Sequence, residues 1–576
     1  MATSPTATMA RVRRVTTVAL RVLDVTIVAA IGGVALACDF GRLVASWGPL
    51  FRQLDRALLV VFLAEGVVRI AVAERRLRFA ASRWFDALAL AALLDALAGG
   101  QATWSWFLVR GGAASLAALA RVGWVRRLVG RLWRHPAPLL VGSFAGAILV
   151  GAALLALPIA SASAQSIGVV DALFTSTSAV CVTGLVVLDT GTDFTLFGQA
   201  VILVLIQLGG LGIMTFSAGM FVMAGRAISA SQGVALQSML DQESAREART
   251  LVRFIALTTL AVEAVGAVVL FFCLAGHEGY TVQTVYSSIF HSVSSFCNAG
   301  FSLYGKSFEG YRAHVGLNLT ITTLIIVGGL GFPVLRDLLV VGRRRRLGEG
   351  RSPRLHTQTK VVLVTSAVLI VAGAVVFYLL EAPATLGPLP PGERVLASYF
   401  QSVTARTAGF NTVNIAAVRT PALVVLMFLM FIGASPGSTG GGIKTTTAAI
   451  LFQAMRSAFR RRPEVELFDR TVPRSTIRRT IALVTFSILL LVVATVALTS
   501  VEPKQPFDKL LFEQVSAFGT VGLSTGITAA LSDAGKLVIL VLMFAGRLGP
   551  LTLMFSLLGD GRPARYKYPN THIMVG

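Results

Sequence analysis

Charge is scarce along this chain: 14% of its 576 positions are Asp, Glu, Lys or Arg, against about 25% in soluble globular proteins. Cysteine is scarcer still, with 4 residues, and Cys38, Cys181, Cys273 and Cys297 show no CxxC spacing. A disulfide framework and a thiolate metal centre are both excluded as organising features. The 6 histidines are scattered without a ligand pattern, so no resident metal site is expected. Acidic residues are outnumbered 28 to 51 by basic ones, for a net charge of +23. A nucleic-acid binder would gather that excess on a soluble domain, and no stretch here is polar enough to form one, so nucleic acid is not an expected partner.

Apolar sequence fills the space left by charge. Hydrophobic residues make up 55% of the chain, and runs of about 20, enough to cross a bilayer core, recur along it. Candidate spans lie near 16–38, 54–73, 84–98, 105–125, 138–160, 195–223, 252–275, 315–342, 358–381, 418–455, 476–500 and 533–558. The first follows a basic start and leads to VALAC at Cys38, but it is too long for the core of a cleaved signal and reads as a span. The basic clusters RVRR (11–14), ERRLRFAASR (74–83), RVGWVRRLVGRLWRH (121–135), GRRRRLGEGRSPR (342–354) and RSAFRRRP (456–463) fall on one side if every span crosses once. That asymmetry marks the cytoplasmic face and predicts that both termini are cytoplasmic in a multi-pass plasma-membrane protein, with acidic lipid headgroups as counter-charges.

One glycine-rich stretch, GASPGSTGGGIKTTT (433–447), interrupts the tenth span. A phosphate-cradling loop places Lys directly after its closing Gly, whereas Ile443 separates Gly442 from Lys444. An ATP-dependent membrane enzyme using 433–447 is therefore a rival, not the leading reading, and no nucleotide is expected to bind this chain. Gly433, Pro436, Gly437 and Gly440 to Gly442 each oppose continuous helix.

A short segment occurs four times at intervals of roughly 110 residues, a spacing suited to fused subunits: FTSTSAVCVTGL (174–185), FHSVSSFCNAGF (290–301), FQSVTARTAGF (400–410) and FEQVSAFGTVGL (512–523). Each starts with Phe and ends on Gly followed by Leu or Phe, and the third is one residue shorter. Each lies between two apolar spans with no basic cluster beside it, so it starts and ends on the non-cytoplasmic side. About 10 residues of helix cannot cross a membrane, which predicts a short helix that dips in and returns as extended chain. Irregular backbone at that depth must be buried or line a watery cavity, and four copies around an axis would form a pore. The triplets before the glycines, Cys181–Val182–Thr183, Cys297–Asn298–Ala299, Arg406–Thr407–Ala408 and Gly519–Thr520–Val521, contain no carboxylate. A cation would then be held by backbone carbonyls, with Gly184, Gly300, Gly409 and Gly522 supplying the conformations needed. The negative C-terminal ends of the short helices would face the same axis.

These segments, with QLGGLGIMTF (207–216), GASPGSTGGGIKTTT (433–447), GRLGPLTL (546–553) and YPNTHIMVG (568–576), resemble the Trk/Ktr/HKT superfamily of potassium transporters, most closely the channel-forming Ktr subunit, over about 137 to 576. The resemblance implies an all-α polytopic fold in which four helix–pore-loop–helix repeats (136–230, 231–345, 346–465 and 466–576) surround one filter. Its four glycines imply potassium over sodium, with the potassium ion the only bound cation. It also implies an intramembrane gate beneath the filter, for which Gly437, Ser438, Thr439, Gly440, Gly441, Gly442, Lys444 and Thr445 are the matching residues. Arg547 matches the family's arginine below the filter. The resemblance further implies a homodimer resting on a cytosolic ring of nucleotide-binding regulatory subunits. A sodium-conducting or proton-coupled member of the same superfamily remains the nearer alternative. Glu263, within a span, reads as a structural partner ahead of an ion site.

Residues 1–135 have no counterpart in that pattern. Glu65 and Arg69 lie four apart on one helix face, Asp86 opens the third span, and Arg110, Arg121, Arg126, Arg127 and Arg131 follow in or after the fourth. This resembles the four-helix voltage-sensor module of cation channels. Only Arg110 lies well inside its span, so the sensor-like fold is expected more strongly than voltage sensing itself.

Overall fold

The computed structural model describes residues 136–163, 165–223, 245–347 and 354–549. The expected N-terminal four-helix module and the YPNTHIMVG terminus lie outside the described residues. Within them the chain is helical apart from one small hairpin, β1 (Glu466–Leu467) with β2 (Arg470–Thr471).

The helices come in four comparable groups. The first comprises α1 (Pro136–Leu155), the short α2 (Val169–Val180) and α3 (Leu196–Met223). The second comprises α4 (Ala245–Glu278), the short α5 (Val282–Phe296), then α6 (Val315–Leu330) and α7 (Phe332–Arg346). In the third, α8 (Thr357–Glu381) precedes the short α9 (Pro391–Thr404), α10 (Thr420–Phe431) and α11 (Thr445–Phe459). The fourth holds α12 (Arg474–Val501), the short α13 (Phe507–Gly519) and α14 (Asp533–Leu548). Local chemistry sets the helix starts. Thr281 Oγ1 accepts from Thr284 N to cap α5, Ser532 Oγ from Gly535 N to cap α14, and Pro391 and Pro421 occupy first-turn positions where no N–H is needed.

The packing is inverted relative to a water-soluble protein. On α8, Val364, Val368, Val371, Val375 and Leu379 form an exposed stripe at helical spacing, and α12 exposes Ile488, Leu489, Val492, Val493 and Val496. Meanwhile Thr175, Ser176, Thr177, Ser178, Ser292, Ser294, Ser402, Thr404 and Ser516 on the short helices are all buried. Apolar surface outside and hydroxyls inside suit a hydrocarbon solvent. Three described helices, within α4, α8 and α12, are long and apolar enough to cross a membrane, and the bent pair α6–α7 raises that to four.

The sequence marks only the span at 418–455 as interrupted, yet the second helices of the first two groups break as well, and that of the fourth stops at a glycine of the same kind. α3 kinks at Gly212 (φ 71°, ψ 151°), α6 gives way to α7 at Gly331 (φ 91°, ψ 143°) through a 98° bend, and α14 ends at Gly549 (φ 83°, ψ 133°). The cause is written in GGLG (209–212), GGLG (328–331) and GRLG (546–549): the last glycine of each takes a left-handed φ that side chains with a Cβ rarely adopt. In the third group the break widens to the thirteen residues 432–444, between α10 and α11.

Candidate functional site

The four short helices end in turns of one design. Val182, Asn298, Thr407 and Thr520 have positive φ (56°, 59°, 76° and 49°), and two residues later Gly184, Gly300, Gly409 and Gly522 do too (83°, 71°, 82° and 91°). The glycines approach one another in a closed cycle. A Cβ on Gly184 would strike the carbonyl of Ala299, one on Gly300 that of Ala408, one on Gly409 that of Val521, and one on Gly522 that of Thr183. The same Cβ atoms would lie 3.0, 3.1, 3.1 and 3.0 Å from the next glycine's Cα. First meets second, second meets third, third meets fourth and fourth meets first, so the turns form a ring.

Two hydroxyl positions hold each turn. Four residues after the leading Phe, Ser178 and Ser516 accept from Gly184 N and Gly522 N (both 3.1 Å), whereas Ser294 and Thr404 donate to Phe301 O and Phe410 O (both 2.7 Å). Two residues after the Phe, Ser176, Ser292 and Ser402 donate to carbonyls of the preceding long helices, those of Ile148, Glu263 and Ile370, each at 2.7 Å. Gln514 takes this place in the fourth group, reaching Ala494 O at 3.4 Å. These donors satisfy each hydroxyl inside a low-dielectric interior, where an unpaired one would cost about 1–3 kcal/mol. The sequence signal is the hydroxyl-rich stretch, but the contacts run to backbone six or seven residues on or to another helix and are not legible in it.

Residues 432–444 lie against this ring. Gly441 N donates to Thr520 Oγ1 (3.0 Å), and a Cβ on Gly440 would meet Ala434 Cβ and the Thr407 side chain. The segment doubles back on itself through Ala434 N to Gly441 O (3.3 Å) and Ile443 N to Phe431 O (3.2 Å). Its outer bend docks on the second group: Ser435 N donates to Gly329 O (3.1 Å), Thr439 N to Gly328 O (3.3 Å), Thr439 Oγ1 to Phe296 O (3.2 Å), and Phe332 N to Gly437 O (2.9 Å). Ser438 Oγ donates to Ser435 O (2.6 Å), and Thr445 Oγ1 pairs with Ser435 Oγ (2.9 Å).

The three positive charges singled out from sequence take different places. The Arg547 guanidinium donates to Thr439 O in this segment and to Gly209 O in α3, tying the segment to the first and fourth groups at once. Lys444 Nζ turns back on its own segment, donating to Gly440 O at 2.7 Å. Arg406 is in the backbone of the third turn, but its side chain leaves the ring. It donates to Ser366 Oγ on α8 (3.2 Å) and lines a small, partly open pocket with Ile325, Gly329, Val403 and Ala434. Glu263 is buried and accepts from Gln207 Nε2 (3.2 Å) and Cys297 Sγ (3.8 Å), so it braces the contact between the first two groups. Cys181, Cys297 and Gly519 occupy the last turns of their helices, and the backbone of Thr183, Ala299, Ala408 and Val521 completes the ring.

A helical membrane bundle with a carbonyl-rich ring at its centre defines the class, and the family follows from sequence. The model of the TrkH family, cation transport proteins, matches residues 147–559, and the chain belongs to that family. It is similar to Ktr system potassium uptake protein B of Vibrio alginolyticus, 42% identical over 436 residues that cover 75% of this chain and 93% of that protein. The Bacillus subtilis protein of the same name is 38% identical, covering 79% and 98%. Potassium/sodium uptake protein NtpJ of Enterococcus hirae is 39% identical, covering 77% and 97%. The crystal structure of the potassium transporter TrkH from Vibrio parahaemolyticus shares the fold, with a TM-score of 0.59 at 19% identity over 84% of this chain and 97% of that one. Membership makes this chain a membrane transport protein and not an enzyme, which sets aside the phosphate-loop reading of 433–447. The family match begins after residues 1–135.

Proposed function

We propose that this protein takes up potassium across the bacterial plasma membrane through a pore formed by its four helix–turn–helix units. The carbonyls of Cys181 to Gly184, Cys297 to Gly300, Arg406 to Gly409 and Gly519 to Gly522 act as the selectivity filter. The observation that carries the reading is the closed cycle of four glycines, each abutting a carbonyl of the next turn. Carbonyl dipoles and helix C-termini replace the hydration shell of a cation without any carboxylate in the ring.

The segment Gly437 to Thr445 is the gate. It lies across the cytoplasmic side of the ring, against Thr407 and Thr520; Arg547 holds it there through the carbonyl of Thr439, and Lys444 braces its fold from within through the carbonyl of Gly440. Opening requires those bonds to exchange for others or for water. The Ktr system naming of two relatives supports a separate regulatory partner; to it the reading adds a homodimer, a cytosolic nucleotide-binding ring as that partner, both termini on the cytoplasmic side, and a sensor-like module over 1–135.

Potassium and sodium fluxes into vesicles holding the purified protein test the reading. Wild type is expected to pass potassium in preference to sodium, and Gly184→Ser to relax that preference. A sodium flux equal to that of potassium in wild type would favour the second reading, a sodium-conducting or ion-coupled transporter. The Enterococcus hirae relative, named a potassium/sodium uptake protein, supports that alternative.

A further inference from the structure

Helix α7 leaves the bundle sideways. α6 is 16 residues long, about 24 Å at 1.5 Å per residue, and the 98° bend at Gly331 then turns the chain across the end of the bundle. If α6 follows the membrane normal from the non-cytoplasmic face, that bend falls close to the inner edge of a hydrocarbon layer of about 30 Å. α7 therefore runs along the cytoplasmic interface.

Its two sides differ. Val334, Asp337 and Val341 are buried on one, and Asp337 is locked to the start of α8, accepting from His356 N (3.0 Å), His356 Nδ1 (2.8 Å) and Thr359 Oγ1 (2.7 Å). The opposite side carries exposed Arg336, Leu339, Val340 and Arg343, and the last turn is exposed all round through Arg344 to Arg346 and the C-cap Leu347; Leu339, Val340 and Leu347 are 57%, 43% and 56% exposed. None of these five arginines has an ion-pair partner among the described residues. Large apolar side chains interleaved with unpaired arginines are unsuited to bulk water. They suit the headgroup boundary, where apolar groups enter the acyl region and guanidinium groups reach phosphates.

The first residues of α7 touch the gating segment. Phe332 N donates to Gly437 O (2.9 Å), and a Cβ on Gly437 would lie 2.9 Å from Pro333 Cδ. The helix that rests on the leaflet is thus continuous with the bend that docks residues 435–439.

We propose that α7 binds anionic phospholipid headgroups of the cytoplasmic leaflet through Arg336 and Arg343 to Arg346, and that this binding holds the gating segment in its pore-blocking position. The direction follows from the structure: lipid that stabilises α7 as seen here stabilises the Phe332–Gly437 contact made with the segment in place. The proposal rests on the gate reading above.

The test reconstitutes the full chain in vesicles of phosphatidylcholine alone or with roughly 30% phosphatidylglycerol, a surface charge strong enough to attract a polybasic helix. Potassium flux through wild type is expected to fall at least about threefold in the anionic vesicles. Changing Arg343, Arg344, Arg345 and Arg346 together to Gln is expected to leave flux in phosphatidylcholine unchanged and to abolish the fall. A chain lacking 438–443 is expected to be insensitive to the lipid. Phosphatidylglycerol retained by the purified protein, counted as phosphate, should drop in the arginine variant whether or not that variant transports.

Equal wild-type flux in both lipids would overturn the proposal. So would a fall that persists in the arginine variant, or lipid sensitivity that appears only when a cytosolic partner is added. Absence of potassium flux in every lipid alongside normal phosphatidylglycerol retention would instead strike at the transport reading and confine α7 to lipid anchoring, overturning its control of the gate.

Discussion

Gly300 sets the tolerance of the ring. Its φ is 71°, and a Cβ there would lie 2.6 Å from Ala408 O. A left-handed φ on a residue with a Cβ costs about 1–3 kcal/mol before the clash is counted. We expect Gly300→Ala to lower the potassium-to-sodium flux ratio about tenfold, the factor carried by 1.4 kcal/mol in the ring alone. Cation competition in vesicles measures it, and an unchanged ratio would remove Gly300 from the filter. Arg547 works through its two carbonyl partners, Thr439 O and Gly209 O. Arg547→Gln loses the charge and one or both bonds, and we expect resting potassium flux to rise several-fold as the segment loosens; a lower flux would make Arg547 part of the conduction path. The glycines and Arg547 stood out in the sequence because Gly and intramembrane charge are conspicuous there. Ser178, Ser294, Thr404 and Ser516 did not, since a hydroxyl in a short helix looks alike whether it bonds its own turn or the returning strand. The fate of Arg406 was hidden for a related reason: the sequence fixes its backbone place beside Thr407 but not the direction of a long side chain.

At the scale of elements, the proposed gate is a second helix opened into a loop. Deleting about 438–443 removes the bonds to Phe296, Gly328, Thr520 and Arg547 and is expected to raise potassium flux, while filter selectivity stays as in wild type. Unchanged flux would count against the gate. The outer loop after α5 carries a separate test. Tyr304 and Tyr311 each donate to Glu278 Oε1 at 2.6 Å, and burial, reinforced by that bond, pushes the Tyr311 hydroxyl up to about 12. The neutral form is the one the fold prefers, so its contribution to stability is complete below the ordinary tyrosine value near 10 and is lost as pH rises toward 12. Thermal unfolding midpoints followed across that window should fall for wild type and fall less steeply for Tyr311→Phe. The breaks at Gly212, Gly331 and Gly549 were legible only as shared letters, GGLG, GGLG and GRLG. Hydropathy is blind to them because Leu and Gly continue an apolar run whether or not the helix does.

For the molecule as a whole, class and helical content were open to reading because the bilayer demands long apolar helices, and residues 252–275, 358–381 and 476–500 do fall within α4, α8 and α12. The ring was not so open. Similar segments imply similar local structure, but only packing brings Thr183 against Gly522 across the greatest sequence separation in the ring. A chain beginning at residue 136 contains every residue of the proposed filter and gate, and we expect it to conduct potassium in vesicles at a rate within a few-fold of the full chain. Comparing the two at several membrane potentials isolates the contribution of residues 1–135. A steep voltage dependence present only in the full chain would assign sensing to that module.

The thirteen residues that interrupt the third second-helix bear on why one polypeptide carries all four units. Four identical subunits around an axis would each bring the same loop, and four loops cannot occupy a space that fits one. Covalent fusion lets the copies diverge, so that the first, second and fourth keep a glycine turn and the third can supply the proposed plug. On the proposed gating, the asymmetry is the condition for closing a four-fold opening with a single moving part.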